Sequence, residues 1–174
     1  MRLPDIDNLR IVRYPDPVLS QVCQPVETFG AELQALADKM LALMRQGDGV
    51  GLAAPQVGLL MRLFVCNATG EPGDDLVLVN PEFVELSGAE EREEGCLSLP
   101  GVTVTRRRAT HAVVEAVGTD GRPFRKTGEG LVARIWQHEA DHLDGRVIAD
   151  GMSTTDEIKN RRALKQLRAD FKAR

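Results

Sequence analysis

Residues 138 to 142 read His-Glu-Ala-Asp-His, the pattern H-E-x-x-H. Four residues is close to one 3.6-residue helical turn, so the two imidazoles would leave one face of a helix and reach a single metal ion. Glu139 would sit beside that ion, where a carboxylate can take a proton from an activated water. This is the arrangement of metal hydrolases. The chain has three histidines, and two of them, His138 and His142, fall in this pentapeptide.

A catalytic metal site takes three protein ligands and keeps one position open. The longer pattern H-E-x-x-H-x-x-G-x-x-H finds its glycine in Gly145 but meets Ile148 where the third histidine should stand, so that group is excluded. Glu157 could supply a carboxylate ligand, yet Thr154-Thr155-Asp156-Glu157 reads as a capping box, which already gives it a role. The remaining candidate is Cys96, inside Glu94-Gly95-Cys96-Leu97-Ser98-Leu99-Pro100-Gly101, because a thiolate is a strong ligand. Cys23 and Cys66 read as small buried residues. In a non-enzymatic structural-metal protein either of them would close the site, but Glu139 argues against this, since a closed site needs no general base.

These residues need elements to hold them. Apolar residues at Leu33, Leu36, Met40, Leu41 and Met44 predict an amphipathic helix over about 31 to 46. Gly47, Gly49 and Gly51 then break it, and residues 49 to 58 read as a backbone-exposing loop too glycine-rich for regular structure. Short β-prone runs at 61 to 66, 76 to 79, 82 to 86, 102 to 105 and 111 to 117 are bounded by turn residues. Thr119-Asp120-Gly121 turns the last of them back into Pro123-Phe124. From Gly130 the pattern is helical through Leu143, with Gly145 placed to end the helix, and a further helix covers about 155 to 171. Trp136 reads as core, His111 as a surface or satisfied polar residue, and Arg106-Arg107-Arg108 as a solvated strand edge. Helix, strands, helix, helix without βαβ alternation predicts an α+β fold. Antiparallel sheets would surround a central metal-binding helix, with a helix at the C-terminus, in one domain over 1 to 174.

A hydrophobic fraction of 43% and a charged fraction of 28% exclude a disordered chain. No run approaches the ~18 apolar residues of a membrane span. Three cysteines cannot all pair, and Pro4, Asp5 and Asp7 stand where a signal peptide would need an apolar run, so a reducing, cytoplasmic location is expected. The net charge of −4 is segregated: residues 158 to 174 hold seven cations and one anion, +6, leaving −10 elsewhere. A basic tail on an acidic body points to a polyanionic partner.

Three segments in order, G-x-G-x-A-A-x-Q at 49 to 56, E-G-C-L-S at 94 to 98 and Q-H-E-x-x-H at 137 to 142, resemble the signature motifs of peptide deformylases. The similarity runs from Tyr14-Pro15-Asp16-Pro17-Val18-Leu19 to the helix after residue 154, and its spacing resembles the branch typical of Gram-negative bacteria and organelles. The resemblance implies a hydrolase that removes the formyl group from the N-terminal formyl-methionine of nascent polypeptides. It implies Cys96, His138 and His142 as ligands of one divalent ion. Iron as Fe2+ comes from the resemblance alone, since thiolate and imidazole also suit Zn2+, Ni2+ or Co2+. It assigns the Gln56 side-chain amide and the Leu97 backbone N–H to a developing oxyanion, and Glu139 to proton transfer. Val50, Gly51 and Gly95 offer backbone that an extended peptide could join as an added strand. Leu131, Arg134 and Ile135 lie seven, four and three residues before His138, on the metal-facing side, where a methionine side chain would fit; the alternative is that Leu131 and Ile135 are core. Expected partners are formylated nascent chains and, through the basic helix, the ribosome, with no DNA or membrane and a monomeric chain. A metallopeptidase acting on ordinary amides stands as the alternative enzyme.

Overall fold

The computed structural model describes residues 6–173, so Pro4, Asp5 and Arg174 lie outside the described residues. The first helix, α1 (Ala31–Gln46), buries Leu33, Leu36, Ala37, Met40, Leu41 and Met44, the face that its three- and four-residue spacing specifies. It packs on a five-stranded antiparallel sheet. Its strands are β1 (Gly51–Ala53), β2 (Leu63–Cys66), β3 (Leu76–Ser87), β6 (His111–Val117) and β7 (Pro123–Glu129), hydrogen-bonded in that order. Strand β2 is buried on both faces, and the two-residue period of a strand divides it. Leu63 and Val65 join α1 in one apolar cluster. Phe64 and Cys66 join a second cluster with the helix α2 (Leu131–Leu143), on the sheet's other side.

The remaining strands, β4 (Glu90–Gly95) and β5 (Thr103–Arg108), form their own two-stranded sheet, and α3 (Thr154–Lys172) packs its Leu164 and Leu167 against Leu99, Val102 and Val104 there. The α+β architecture with antiparallel sheets and a C-terminal helix is the expected one. Helix α2 sits between the two sheets, touching β1, β2 and β7 of the first and β5 of the second.

Five details differ from the sequence reading, the first being β4 itself, over residues that reading left without a strand. Gly51–Ala53 is a buried strand within the segment read as loop, paired Gly51 to Cys66. The runs at 76 to 79 and 82 to 86 are one strand with a register shift at Asn80-Pro81, where Asn80 takes φ 49° and its side chain bonds the Val26 backbone N–H and C=O. Helix α3 is capped one residue earlier than expected: Ser153 Oγ accepts from the Asp156 N–H and donates to the Asp156 carboxylate, while Glu157 is exposed. Finally, the Arg106-Arg107-Arg108 run is not a solvated edge. Only Arg107 is exposed; Arg106 donates to the carbonyls of Ile148, Asp150 and Gly151, and Arg108 pairs with Glu94 and Asp141. Strand alternation explains it, since residues 106 and 108 share the inward face.

Candidate metal centre and active site

Helix α2 packs Trp136 into the cluster that holds Phe64 and Cys66 of the sheet, and buries His138, Glu139 and His142 as well. The turn joining β4 to β5 brings Cys96 to them; it is closed by Leu99 N–H on the Cys96 carbonyl at 3.0 Å and Val102 N–H on the Leu99 carbonyl at 3.1 Å. One ligand atom each from Cys96, His138 and His142 lies within 4.8 Å of the others. Cys96 Sγ is 3.3 Å from His142 Nε2, and the two imidazole rings stand 5.1 Å apart at 74°. Three converging soft and borderline donors are the set a divalent transition metal takes.

The electrostatics agree with that donor set. Burial pulls His138 down, but contacts to Cys96 and Glu94 outweigh it and raise the imidazole well above its ordinary value. His142, buried with His138 beside it, is held well below. Burial also lifts the Glu139 carboxyl to about 7, despite the opposing attraction of His138. Its Oε2 has no hydrogen-bond partner among the described residues. A carboxyl poised near neutrality can both accept and return a proton.

Glu94 was given no role by the sequence reading, and the structure makes it the hub of the site. Its carboxylate takes Arg108 Nε and Nη2 at 2.8 and 2.9 Å, Arg134 Nη1 at 2.8 Å and His138 Nδ1 at 3.0 Å. Burial opposes its charge, but Arg108 and His138 prevail and hold it far below the ordinary carboxylate range. A carboxylate on Nδ1 leaves Nε2 of His138 as the metal-facing nitrogen. Arg134 also donates to the carbonyls of Arg106 at 3.0 Å and Glu90 at 2.8 Å. Arg134 is among the residues lining the cleft, and its guanidinium ties α2 to the β4–β5 sheet.

Gln56, on the short 3-10 turn Ala54–Val57, is buried, and its side-chain Oε1 accepts the Ala53 N–H at 2.8 Å. That fixes the amide, so Nε2 points at Cys96 Sγ at 3.3 Å and Ser98 Oγ at 3.2 Å. The N-terminal segment fastens both turns, Val12 N–H bonding the Gln56 carbonyl at 2.7 Å and Tyr14 N–H the Ser98 carbonyl at 2.9 Å. A cleft of about 540 Å³ opens beside these groups. Val50, Gly51, Gln56, Gly95, Cys96, Leu97, Leu131, Arg134, Ile135, His138 and Glu139 all line it, so every expected site residue except His142, which lies beneath, meets one cavity. Leu131 is 50% exposed and thus no core residue, whereas Ile135 belongs both to the cleft and to the core beneath α2. A Cβ on Gly51 would lie 2.8 Å from the Glu139 carboxyl carbon, so no other residue fits there without moving the carboxylate.

The chain matches the model of the polypeptide deformylase family over residues 8–157. It is 47% identical to a peptide deformylase of Acidobacterium capsulatum over 137 residues, covering 78% of this chain and 81% of that protein. Against a peptide deformylase of Alkalilimnicola ehrlichii it is 41% identical over 160 residues, 91% of this chain and 90% of that protein. Among solved structures it is similar to a plant peptide deformylase, with a TM-score of 0.93 and 36% identity over 99% of this chain and 95% of that one. The Plasmodium falciparum peptide deformylase gives a TM-score of 0.90 and 35% identity over 94% and 98%.

Proposed function

The chain belongs to the polypeptide deformylase family, and we infer that the cleft between α2 and the β4–β5 turn is where it hydrolyses the formyl amide of N-formylmethionyl polypeptides. The protein is a metal-dependent hydrolase of protein biosynthesis that removes the formyl group from the N-terminal methionine of nascent chains. The observation that carries the site assignment is the meeting of Cys96, His138 and His142 donor atoms within 4.8 Å of one another, beside buried Glu139.

Cys96, His138 and His142 would hold the ion. When bound, a divalent metal supplies Lewis acidity that brings the pKa of a nearby water towards about 7. Glu139 takes the proton that the attacking water gives up, then delivers it to the departing amine nitrogen as the C–N bond breaks, leaving formate and a free N-terminus. Gln56 Nε2 and the Leu97 N–H donate to the oxygen on which negative charge develops. Val50, Gly51 and Gly95 offer main-chain groups to the peptide, a mode that tolerates any following sequence. Leu131, the Arg134 stem and Ile135 give the methionine side chain its apolar wall.

Several finer points belong to the same proposal. The ion is Fe2+, with Zn2+, Ni2+ or Co2+ able to replace it, because a thiolate with two imidazoles suits all four. The chain works as a single catalytic domain and a monomer in the cytoplasm; no helix among the described residues is long and apolar enough to cross a membrane. Its basic α3 docks on the ribosome. A metallopeptidase or a structural-metal protein is the competing assignment, and Glu139 facing an open cleft speaks against the second. The test is formate release from a formylmethionyl tripeptide with and without chelator. Release that chelator abolishes supports the assignment; cleavage of internal amides without formate would reject it.

A further inference from the structure

The two-stranded sheet leaves β5 with one edge facing α3 instead of a third strand. Asn160, 2% exposed, occupies that edge as a strand would: its Oδ1 accepts the Thr103 N–H at 3.1 Å and its Nδ2 donates to the Thr103 carbonyl at 2.7 Å. One turn earlier, the buried Asp156 accepts the Thr105 N–H at 3.2 Å. The match is geometric. Four residues of helix advance about 6 Å and two residues of strand about 6.6 Å, so side chains at 156 and 160 meet alternate outward N–H groups of β5. Asn160 Nδ2 also reaches the Asp156 carbonyl at 2.9 Å, which holds the amide in this orientation.

What Asn160 holds is a wall of the cleft. Gly101, Val102 and Thr103 line the cavity, and Thr103 pairs in register with Gly95, which lines it too. Ala163, one turn on from Asn160, lies 3.8 Å from where a Cβ of Gly101 would stand, so α3 backs this wall directly. We propose that Asn160 is a positioning residue for substrate: by serving as a side-chain strand partner to Thr103, it fixes the Gly101–Thr103 wall and, across the ladder, the Gly95 backbone. The proposal rests on the deformylase assignment of the cleft. Asn160 touches neither the donor set nor Glu139, so its effect falls on peptide binding.

The experiment compares wild type with Asn160→Ala, Asn160→Asp and Leu167→Ala, measuring KM and kcat on a formylmethionyl tripeptide at 25 °C, metal content, and amide hydrogen exchange of residues 101 to 105. Loss of one or two neutral hydrogen bonds should raise KM about three- to tenfold for Asn160→Ala. Asn160→Asp keeps the acceptor for the Thr103 N–H but turns a carboxylate oxygen on the Thr103 and Asp156 carbonyls, so it should raise KM at least as much as Asn160→Ala, with kcat and metal content in both within about twofold of wild type. Exchange at 101 to 105 should quicken in both. Leu167→Ala, which loosens the apolar seat of α3 but keeps the Asn160 bonds to Thr103, should lower the melting temperature and raise KM less than Asn160→Ala does. Unchanged KM in both Asn160 variants, or an equal rise in Leu167→Ala, overturns the proposal. If neither variant folds, Asn160→Ser, whose hydroxyl can still accept or donate at that edge, decides by the same readouts. A wild type that releases no formate rejects the deformylase assignment instead, and unaltered exchange at 101 to 105 would then overturn the brace on its own.

Discussion

Glu139 is buried among two histidines and a thiol, with its carboxyl lifted to about 7. Glu139→Gln keeps the shape but cannot take a proton, so the variant should retain metal and lose about two to four decades of turnover. Retention of more than about a tenth of wild-type kcat would remove the assigned role. Cys96→Ala should instead lose metal, which elemental analysis of the purified protein reads directly. The other two cysteines behave differently: burial raises Cys23 to about 11 and Cys66 to about 12, from 9.0. Both thiols stay protonated in the fold but ionise in the unfolded chain from about pH 9. Their contribution to stability is complete below that pH and is lost as pH rises towards 11 to 12. Cys66→Ala should therefore flatten the fall of denaturation midpoint above pH 9. An identical slope in that variant would show that other groups set it. The motif residues were legible in the sequence because helical spacing alone brings 138, 139 and 142 together. Glu94 was not legible, because its partners lie 14, 40 and 44 residues away and meet only once two elements pack.

Helix α2 and the β4–β5 sheet are fastened around that carboxylate, with the Arg108–Asp141 pair and the Arg134 bonds to the Arg106 and Glu90 carbonyls beside it. Glu94 is 7% exposed and faces Arg108, Arg134 and His138, so removing its charge leaves the buried Arg134 with no carboxylate and Arg108 with Asp141 alone. Breaking a buried pair from one side costs about 3–5 kcal/mol. Loss of a carboxylate behind a ligating histidine weakens metal affinity about 10- to 100-fold. Glu94→Gln should show both, in denaturant unfolding and in competition with a chelator. Arg134→Met should cost less, because Arg108 still neutralises Glu94. Equal effects of the two would mean that Arg134, not Glu94, is the hub. Strand β4 escaped the sequence reading for a physical reason: Glu90-Glu91-Arg92-Glu93-Glu94-Gly95 has none of the β-branched or aromatic residues that mark strands. Its stability comes from partners, Glu90 and Glu91 standing opposite Arg108 and Arg107 in the ladder. Of residues 49 to 58, which read as a backbone-exposing loop, Gly49, Val50, Gly51 and Gln56 line the cleft, but Gly51–Ala53 is a buried strand fixed by pairing with β2, which glycine-rich local sequence conceals.

At the scale of the whole molecule, charge is segregated, +6 over residues 158 to 174 against −10 elsewhere. The apolar stripe of α3 reads as thin in the sequence, which suggests a weakly held helix. The structure adds Asp156 and Asn160 to Leu164 and Leu167 as buried anchors, so the seat is half polar and stronger than apolar counting implies. Deleting the chain after Asn160 would strip both leucines from their cluster and confuse docking with folding. The exposed cations give the cleaner experiment. Arg161, Arg162, Lys165, Arg168 and Lys172 all face solvent, while the buried anchors point the other way. Replacing Arg161, Arg162 and Lys165 with glutamate leaves the anchors in place and takes residues 158 to 174 from +6 to zero. If α3 docks on ribosomal RNA, each lost phosphate contact lowers the slope of log K against log salt by about 0.7–0.9. Sedimentation with ribosomes at several salt concentrations should then show weaker and flatter binding for the triple variant, with activity on a formylated tripeptide within about twofold of wild type. Binding that is salt-insensitive in the intact protein, or unchanged in the variant, would reject the docking role and leave α3 only its work on the cleft wall.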